Sequence, residues 1–204
     1  MFHIFDSSQW IYLMNFEELI RNNRSYRRFD EEFQLTKETL KMLVGYARLS
    51  ASSSNIQALK FYLSSERLKN ETIFSCLRWA YYLRDWNGPE AGERPTGYII
   101  ILGDTEIHST IDIDVGIAAQ SILLGAASLG LGGCMLGSID RVRLRKNLKI
   151  PEKFQIPLVI ALGKPNEKIL IEEMKADGNI SYWRDEKSIH HVPKRSLDEL
   201  ITDF

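Results

Sequence analysis

The chain has 204 residues, and its 26 Lys and Arg against 27 Asp and Glu leave a formal net charge of −1. Hydrophobic residues make up 44 % and charged residues 26 %, ordinary values for a globular protein with a sizeable core. The balance excludes a general nucleic-acid binder, which carries a basic excess, so any anionic partner is small and local.

Cys76 and Cys134 are the only cysteines. Two are too few for a disulfide framework and they form no CxxC pair, which predicts a reducing, cytoplasmic setting. The start "MFHIFDSSQWIYLMNF" holds no Lys or Arg and is interrupted by Asp6, so it does not read as a signal peptide. Residues 1–13 read as an N-terminal extension, and 14–204 as one domain.

In chain order, residues 16–22 and 36–49 predict helices. The second has Thr36 as N-cap and Leu40, Leu43, Val44 and Ala47 on one face. Between them, "RNNRSYRRFD" places Arg21, Arg24, Arg27 and Arg28 within eight positions. A strand is expected at 59–65 and a helix over 66–83. Next comes a loop, "DWNGPEAGERP", at 85–95, whose Trp86, Asn87 and Arg94 make a candidate lid over a substrate or a plain surface loop. "GYIIILG" (97–103) and "IPLVIALG" (156–163) predict strands buried on both faces. Between these strands a helix is expected over 112–130, then a tight glycine connection. A basic helix follows, from about Ile139 to Leu148, with Ser138 as N-cap. The run from Val115 to Ile139 has no charge and is long enough for a bilayer. Its polar residues and glycines instead predict a helix buried on all sides, and no membrane partner. "SLDEL" near the end has the form of a capping box at Ser196 and Glu199. The fold class is α+β, a central mixed or antiparallel sheet wrapped by helices.

Four stretches suit an anion or a flat ring. Arg24 and Arg27 with the Ser25 hydroxyl would match a phosphate monoester, and would equally suit a solvated turn after a helix. "SASSSNIQALKF" (50–61) offers small hydroxyl residues with Asn55 and Gln57, a mixture of donors and acceptors that a heterocycle needs; a Ser-rich linker is the other reading. "GLGGCMLGS" (130–138) follows a helix, so it is neither a dinucleotide fingerprint nor a phosphate loop, and a glycine helix stop at Gly130 explains much of it. "HHVPKR" (190–195) puts Lys194 and Arg195 beside a capped helix start. His190 and His191 are adjacent and lack the spacing of a helical metal pair. No nucleophile motif is present, Cys134 reads as core, and no side chain reads as a catalytic acid or base. Such a chain would leave the hard chemistry to a cofactor.

In order and spacing these segments resemble the FMN-dependent nitroreductase family. "NRSYRRF" resembles its opening Arg-Arg-Ser-x-Arg-x-Phe motif, and "ASSSNIQALKF" its Pro-Ser-x-x-Asn-x-Gln-Pro-Trp-x-Phe motif. "DVGIAAQSILLGAASLGLGGCMLGS" is similar to its central helix and flavin-contacting turn, and "LGKP" and "PKR" to its closing strand and phosphate-binding end. The resemblance runs over about residues 14 to 201. It implies that Arg24, Ser25 and Arg27 hold the FMN phosphate and ribityl chain with Lys194 and Arg195. It also implies that Ser52, Ser53 and Asn55 meet the ribityl chain or ring, and that Gly137 and Ser138 lie at flavin N5. It implies an intertwined homodimer in which Gly116, Ala119, Gly125 and Ala126 permit close helix contact. The implied activity is ping-pong electron transfer from NAD(P)H through FMN to a nitroaromatic, quinone or related small acceptor. Another flavin enzyme on the same scaffold (a dehydrogenase, a dehalogenase or a flavin-consuming enzyme) and a non-enzymatic FMN-binding protein are the alternatives. The sequence departs from the family motifs at Asn23, Ala51, Ala58 and Leu59.

Overall fold

The computed structural model describes residues 15–203, so the expected extension over 1–13 lies outside the described residues. The helices are α1 (Phe16–Asn22), α2 (Lys37–Leu49), α3 (Arg67–Phe74), α4 (Asp112–Ser128), α5 (Arg141–Leu148) and α6 (Leu197–Leu200). The strands are β1 (Phe29–Asp30), β2 (Leu59–Ser64), β3 (Gly97–Asp104), β4 (Gly132–Leu136), β5 (Phe154–Pro165), β6 (Ile169–Glu173), β7 (Trp183–Arg184) and β8 (His190–Lys194).

The main sheet is antiparallel. β3 lies between β2 and β5, and β5 pairs on its other edge with β4 through residues 159–163 and extends to β1 through Lys164 and Pro165. Every residue of β3 is buried, and the alternation of side chains explains its unbroken apolar run. Ile99 and Ile101 enter a core formed with Leu40 and Leu43 of α2 and Ile122 of α4. Tyr98, Ile100 and Leu102 enter a second core on the opposite face, with Ile73, Trp79, Cys134 and Leu144. A smaller sheet of β6, β8 and β7 follows; β6 and β8 run parallel, and β7 antiparallel to β8.

The local signals hold in several places. Thr36 caps α2, its side chain accepting from the Thr39 N–H at 3.1 Å. Ser196 and Glu199 form the reciprocal capping box of α6. Gly130 ends α4 in a left-handed conformation at φ 67°.

Other expectations change. The helix from residue 66 stops at Phe74, because residues 76–78 pair with the stretch before α5: Leu77 bridges Ile139, and the Arg78 N–H donates to the Ser138 carbonyl. α5 begins at Arg141 under an Asp140 cap, since the Asp140 carboxylate accepts from the Arg143 N–H at 3.0 Å. The tight connection expected after α4 is strand β4. The closing strand runs two residues further at each end than expected. α4 is buried on one side only, with Ile113, Gly116 and Gln120 exposed. Ala119 and Ala126 belong to the core, and a Cβ on Gly125 would meet Tyr46 of α2 at 2.3 Å. These residues therefore bring α4 against its own chain, and of the four only Gly116 faces open space.

Two glycines near the same strand should respond differently to alanine. A Cβ at Gly133 would meet the Ala161 carbonyl oxygen at 2.6 Å, whereas nothing lies within 4 Å of one at Gly137. Gly133→Ala is expected to cost about 1–3 kcal/mol in urea unfolding, and Gly137→Ala much less. Equal losses would contradict the packing described for β4.

Candidate functional site

The segment after α1 is stitched to the sheet edge. Ser25 forms a parallel bridge with Gly133, and the Tyr26 N–H donates to the Gly133 carbonyl at 3.0 Å. The absence of a side chain at Gly132 and Gly133 makes this approach possible: a Cβ on Gly132 would meet the Tyr26 ring at 2.4 Å. From the other end of the chain, Glu167 accepts the backbone N–H groups of Arg27 and Arg28 on Oε1, the second at 3.1 Å. Its Oε2 accepts from Arg184 Nη2, also at 3.1 Å.

This arrangement opens a cleft of about 270 Å³ whose walls include Asn23, Arg24, Ser25, Arg27, His190 and Lys194. No Asp or Glu lines it. The Arg24 guanidinium donates to the Ile20 carbonyl at 2.9 Å, and its Nε has no partner. Arg27 is 9 % exposed; it donates to the Ser25 carbonyl at 3.2 Å, meets His190 Nε2 at 3.3 Å and lies over the Tyr182 ring at 4.8 Å. Among the described residues no carboxylate pairs with its guanidinium, and its Nε too is unpartnered. Burial lowers the Arg24 pKa, against a smaller opposing effect of Tyr26. A buried cation without an anion is costly, so these two side chains make a site that a phosphate would complete.

His190 and His191 take opposite sides of β8. His190 is pushed down to about 4, first by burial and then by Arg27, Arg184 and His191, so it is neutral near pH 7. Its Nδ1 is buried and unpartnered; with Nε2 accepting from Arg27, Nδ1 carries the proton and is a spare donor. His191 instead meets Glu172 through Nδ1 and Asp185 through Nε2, stacked on Trp183 at 4.0 Å. Among the described residues no group of three or more His, Cys, Asp and Glu could hold a metal ion. Cys134 is buried, and burial pushes its thiol up.

The other residues singled out from sequence lie elsewhere. Arg195 pairs with Glu199 at 3.2 Å and does not line the cleft. Ser52 lines a second cleft, of about 380 Å³, beside Gln57, Asp114 and Ala118. There the buried Asp114 carboxylate accepts from both the N–H and the hydroxyl of Ser53, at 2.8 and 2.9 Å, and the Ser52 hydroxyl has no partner. Asn55 follows at φ 56°. Ser138 lines a third cleft, and Gly137 is exposed with its carbonyl accepting from Arg141. Trp86 and Asn87 line that third cleft, while Arg94 lines another. Tyr182 and His190 had gone unrecognised as cleft residues; His190 opens β8 and Tyr182 stands immediately before β7, two short strands with no clear periodic signal in the sequence.

Residues 20–164 match the Nitroreductase family, most of the chain. This chain belongs to that family. An FMN reductase (NADPH) of Bacillus subtilis is 28 % identical over 165 residues, which cover 72 % of this chain and 65 % of the relative. The NADPH-flavin oxidoreductase of Vibrio harveyi is 25 % identical over 168 residues, again with 65 % of its length covered. The nitroreductase-family chain thus spans about two thirds of these curated relatives. Among solved structures, an FMN-dependent nitroreductase from Clostridium difficile superposes with a TM-score of 0.62 at 24 % identity, covering 91 % of this chain and 96 % of the other. The nitroreductase fold is therefore that of this chain too.

The His191 contacts give this nitroreductase-family chain a pH response. The Glu172 hydrogen bond, with help from Asp185, raises the His191 pKa above the ordinary 6.5. The contribution to folding is complete below that value and is lost as pH rises through the raised one. Amide hydrogen-exchange protection of β6 and β8, corrected for intrinsic rates, is expected to fall over that interval. His191→Gln should flatten the dependence.

Proposed function

We propose that the chain is an FMN-dependent oxidoreductase that carries electrons from NAD(P)H to nitroaromatic, quinone or related small acceptors by a ping-pong mechanism. The observation that carries the proposal is the acid-free cleft in which Arg24, Arg27 and Lys194 converge with unsatisfied guanidinium nitrogens. These residues fit a phosphate monoester: Arg24, Arg27 and Lys194 would hold its charge, with the Ser25 hydroxyl and the His190 Nδ1–H as neutral donors. The names of the Bacillus and Vibrio relatives, an FMN reductase and a flavin oxidoreductase, support the same reading.

When bound, FMN would supply the two-electron relay between donor and acceptor. With a nitro compound, NAD(P)H, one proton and the acceptor give NAD(P)⁺, the nitroso product and water; with a quinone they give NAD(P)⁺ and the hydroquinone. The chain's own residues would bind, orient and neutralise. His190 stays uncharged at neutral pH and donates without adding a further charge beside Arg27. Cys134 stays protonated in the core and takes no part.

Ser52, Ser53 and Asn55 belong in this scheme to a site shared with a second copy. The cleft that Ser52 lines has no lining residue in common with the arginine cleft. The surface around it leaves apolar side chains uncovered: Leu49 is 74 % exposed and Ile113 72 %, with Met42 and Tyr46 beside them. A twofold dimer would cover these and bring the hydroxyl-rich turn of one copy to the arginines of the other. A cytoplasmic setting belongs to this proposal, and the two free cysteines support it; among the described residues no helix is long and apolar enough to cross a membrane.

The purified protein is expected to show flavin bands or to take up added FMN, and its flavin should bleach with NADH or NADPH. Arg24→Ala combined with Arg27→Ala should weaken FMN at least about a hundredfold in a fluorescence titration, since each charge-assisted contact contributes ~1.5–3 kcal/mol. An unchanged affinity would reduce the arginines to a solvated turn. Light scattering is expected to give twice the chain mass, and Ile113→Glu to shift it toward one.

A further inference from the structure

Beyond α3 the chain runs without regular structure to β3, and Ala80 is held at φ 41° within it. This segment and Ser138 enclose the third cleft, of about 730 Å³. Its walls include Trp79, Tyr81 and Trp86. Two of these rings are fixed by packing. Trp79 meets Trp86 edge to face at 6.5 Å, and the Arg184 guanidinium covers Trp86 at 4.2 Å. Tyr81 is 83 % exposed, its ring meeting the Tyr82 ring edge to face at 5.2 Å.

The charged side chains that line the cleft have one sign. Arg78 and Arg84 line it, both exposed, and neither side chain has an acidic partner among the described residues. No Asp or Glu lines the cleft. Some exposed arginines elsewhere are paired with acids, as Arg21 is with Glu17 and Arg67 with Glu71, while Arg141 and Arg143 are taken up by backbone carbonyls. The backbone of Arg78 is anchored, its N–H donating to the Ser138 carbonyl at 3.0 Å, so the base of its side chain is fixed over the cleft. The segment that encloses the third cleft also touches a wall of the arginine cleft, through Tyr82, which sits between the lining residues Tyr81 and Leu83. The Tyr82 ring meets the Tyr182 ring at 5.0 Å, the Tyr82 N–H reaches the Tyr182 hydroxyl at 3.4 Å, and Tyr182 lines the arginine cleft.

We propose that this cleft receives the electron acceptor and selects flat aromatic acceptors that carry a carboxylate or sulfonate. Aromatic walls favour a planar ring, and paired guanidinium groups favour an anionic substituent on it. The positive rim also raises the local concentration of such acceptors and their rate of arrival. The assignment rests on the oxidoreductase reading above. The substituent stays chemically unchanged: two electrons and two protons reduce the nitro group to nitroso and water, and the carboxylate only docks.

The test compares 4-nitrobenzoate with 4-nitrobenzamide, which match in size and differ in charge. With FMN-loaded protein and a fixed nicotinamide donor, kcat/KM is expected to favour the anion, with a preference that shrinks as ionic strength rises. Changing Arg78→Gln and Arg84→Gln together should cut the benzoate-to-benzamide ratio about tenfold, the effect of two partly screened charge contacts. A second readout needs neither flavin nor turnover: quenching of tryptophan fluorescence by the two compounds should show the same preference and the same loss. A wild-type ratio blind to charge, or a ratio the double variant does not move, overturns the proposal. So does an effect confined to the KM for NADH or NADPH, which would put the donor at the arginines. If FMN is neither bound nor taken up, the oxidoreductase reading itself fails, and the fluorescence titration still decides whether the cleft selects aromatic anions.

Discussion

One buried carboxylate joins the two ends of this fold. Glu167, with its side chain 1 % exposed, takes two backbone N–H groups from the Arg27–Arg28 segment and one guanidinium N–H from Arg184. A buried carboxylate demands such partners, and three donors satisfy it. The choice of donors matters as much as their number. Because Glu167 takes the main chain of Arg27, the Arg27 guanidinium is left without an acid and turns to His190 and Tyr182. The cleft therefore keeps an unmatched positive charge although the protein as a whole is almost neutral.

The main sheet separates tasks as well as cores. On the side of α2 and α4 lies the hydroxyl-rich cleft of Ser52, held in shape by Asp114. On the other side, α3, α5 and the irregular aromatic segment share the second core with Trp79 and Cys134. β4 stands between these regions, its edge tied to Ser25. Three clefts with different chemistry thus surround one rigid sheet, which suits a protein that orients reactants and leaves bond-making to a bound group.

The sequence was most readable where one physical rule acted alone. "GYIIILG" could only be a strand buried on both faces, and Thr36 and the Ser196–Glu199 pair had the chemistry of caps. It was least readable where distant partners decided. The glycines at 132 and 133 looked like a turn, but they are strand residues whose missing side chains make room for Tyr26 and the Ala161 carbonyl. Residues 73, 77 and 80 keep a helical spacing because helix and irregular turn bury them alike; pairing with residues 138–140 decides between the two. Of the residues expected to hold one ligand, Arg24, Ser25, Arg27 and Lys194 meet in one cleft, while Arg195 is drawn off by Glu199. The contributions of Tyr182 and His190 were hidden because a small three-stranded sheet with a parallel pair leaves only short, weak patterns.

The Glu167 tie and the Ser25–Gly133 bridge also set an order of events. Both join segments separated by more than half the polypeptide, and closing such large loops costs entropy before any contact offsets it. A nascent chain leaving the ribosome cannot bring Arg24 and Lys194 to one cleft until β8 has emerged. Assembly of the cleft thus waits for strands that follow the whole main sheet.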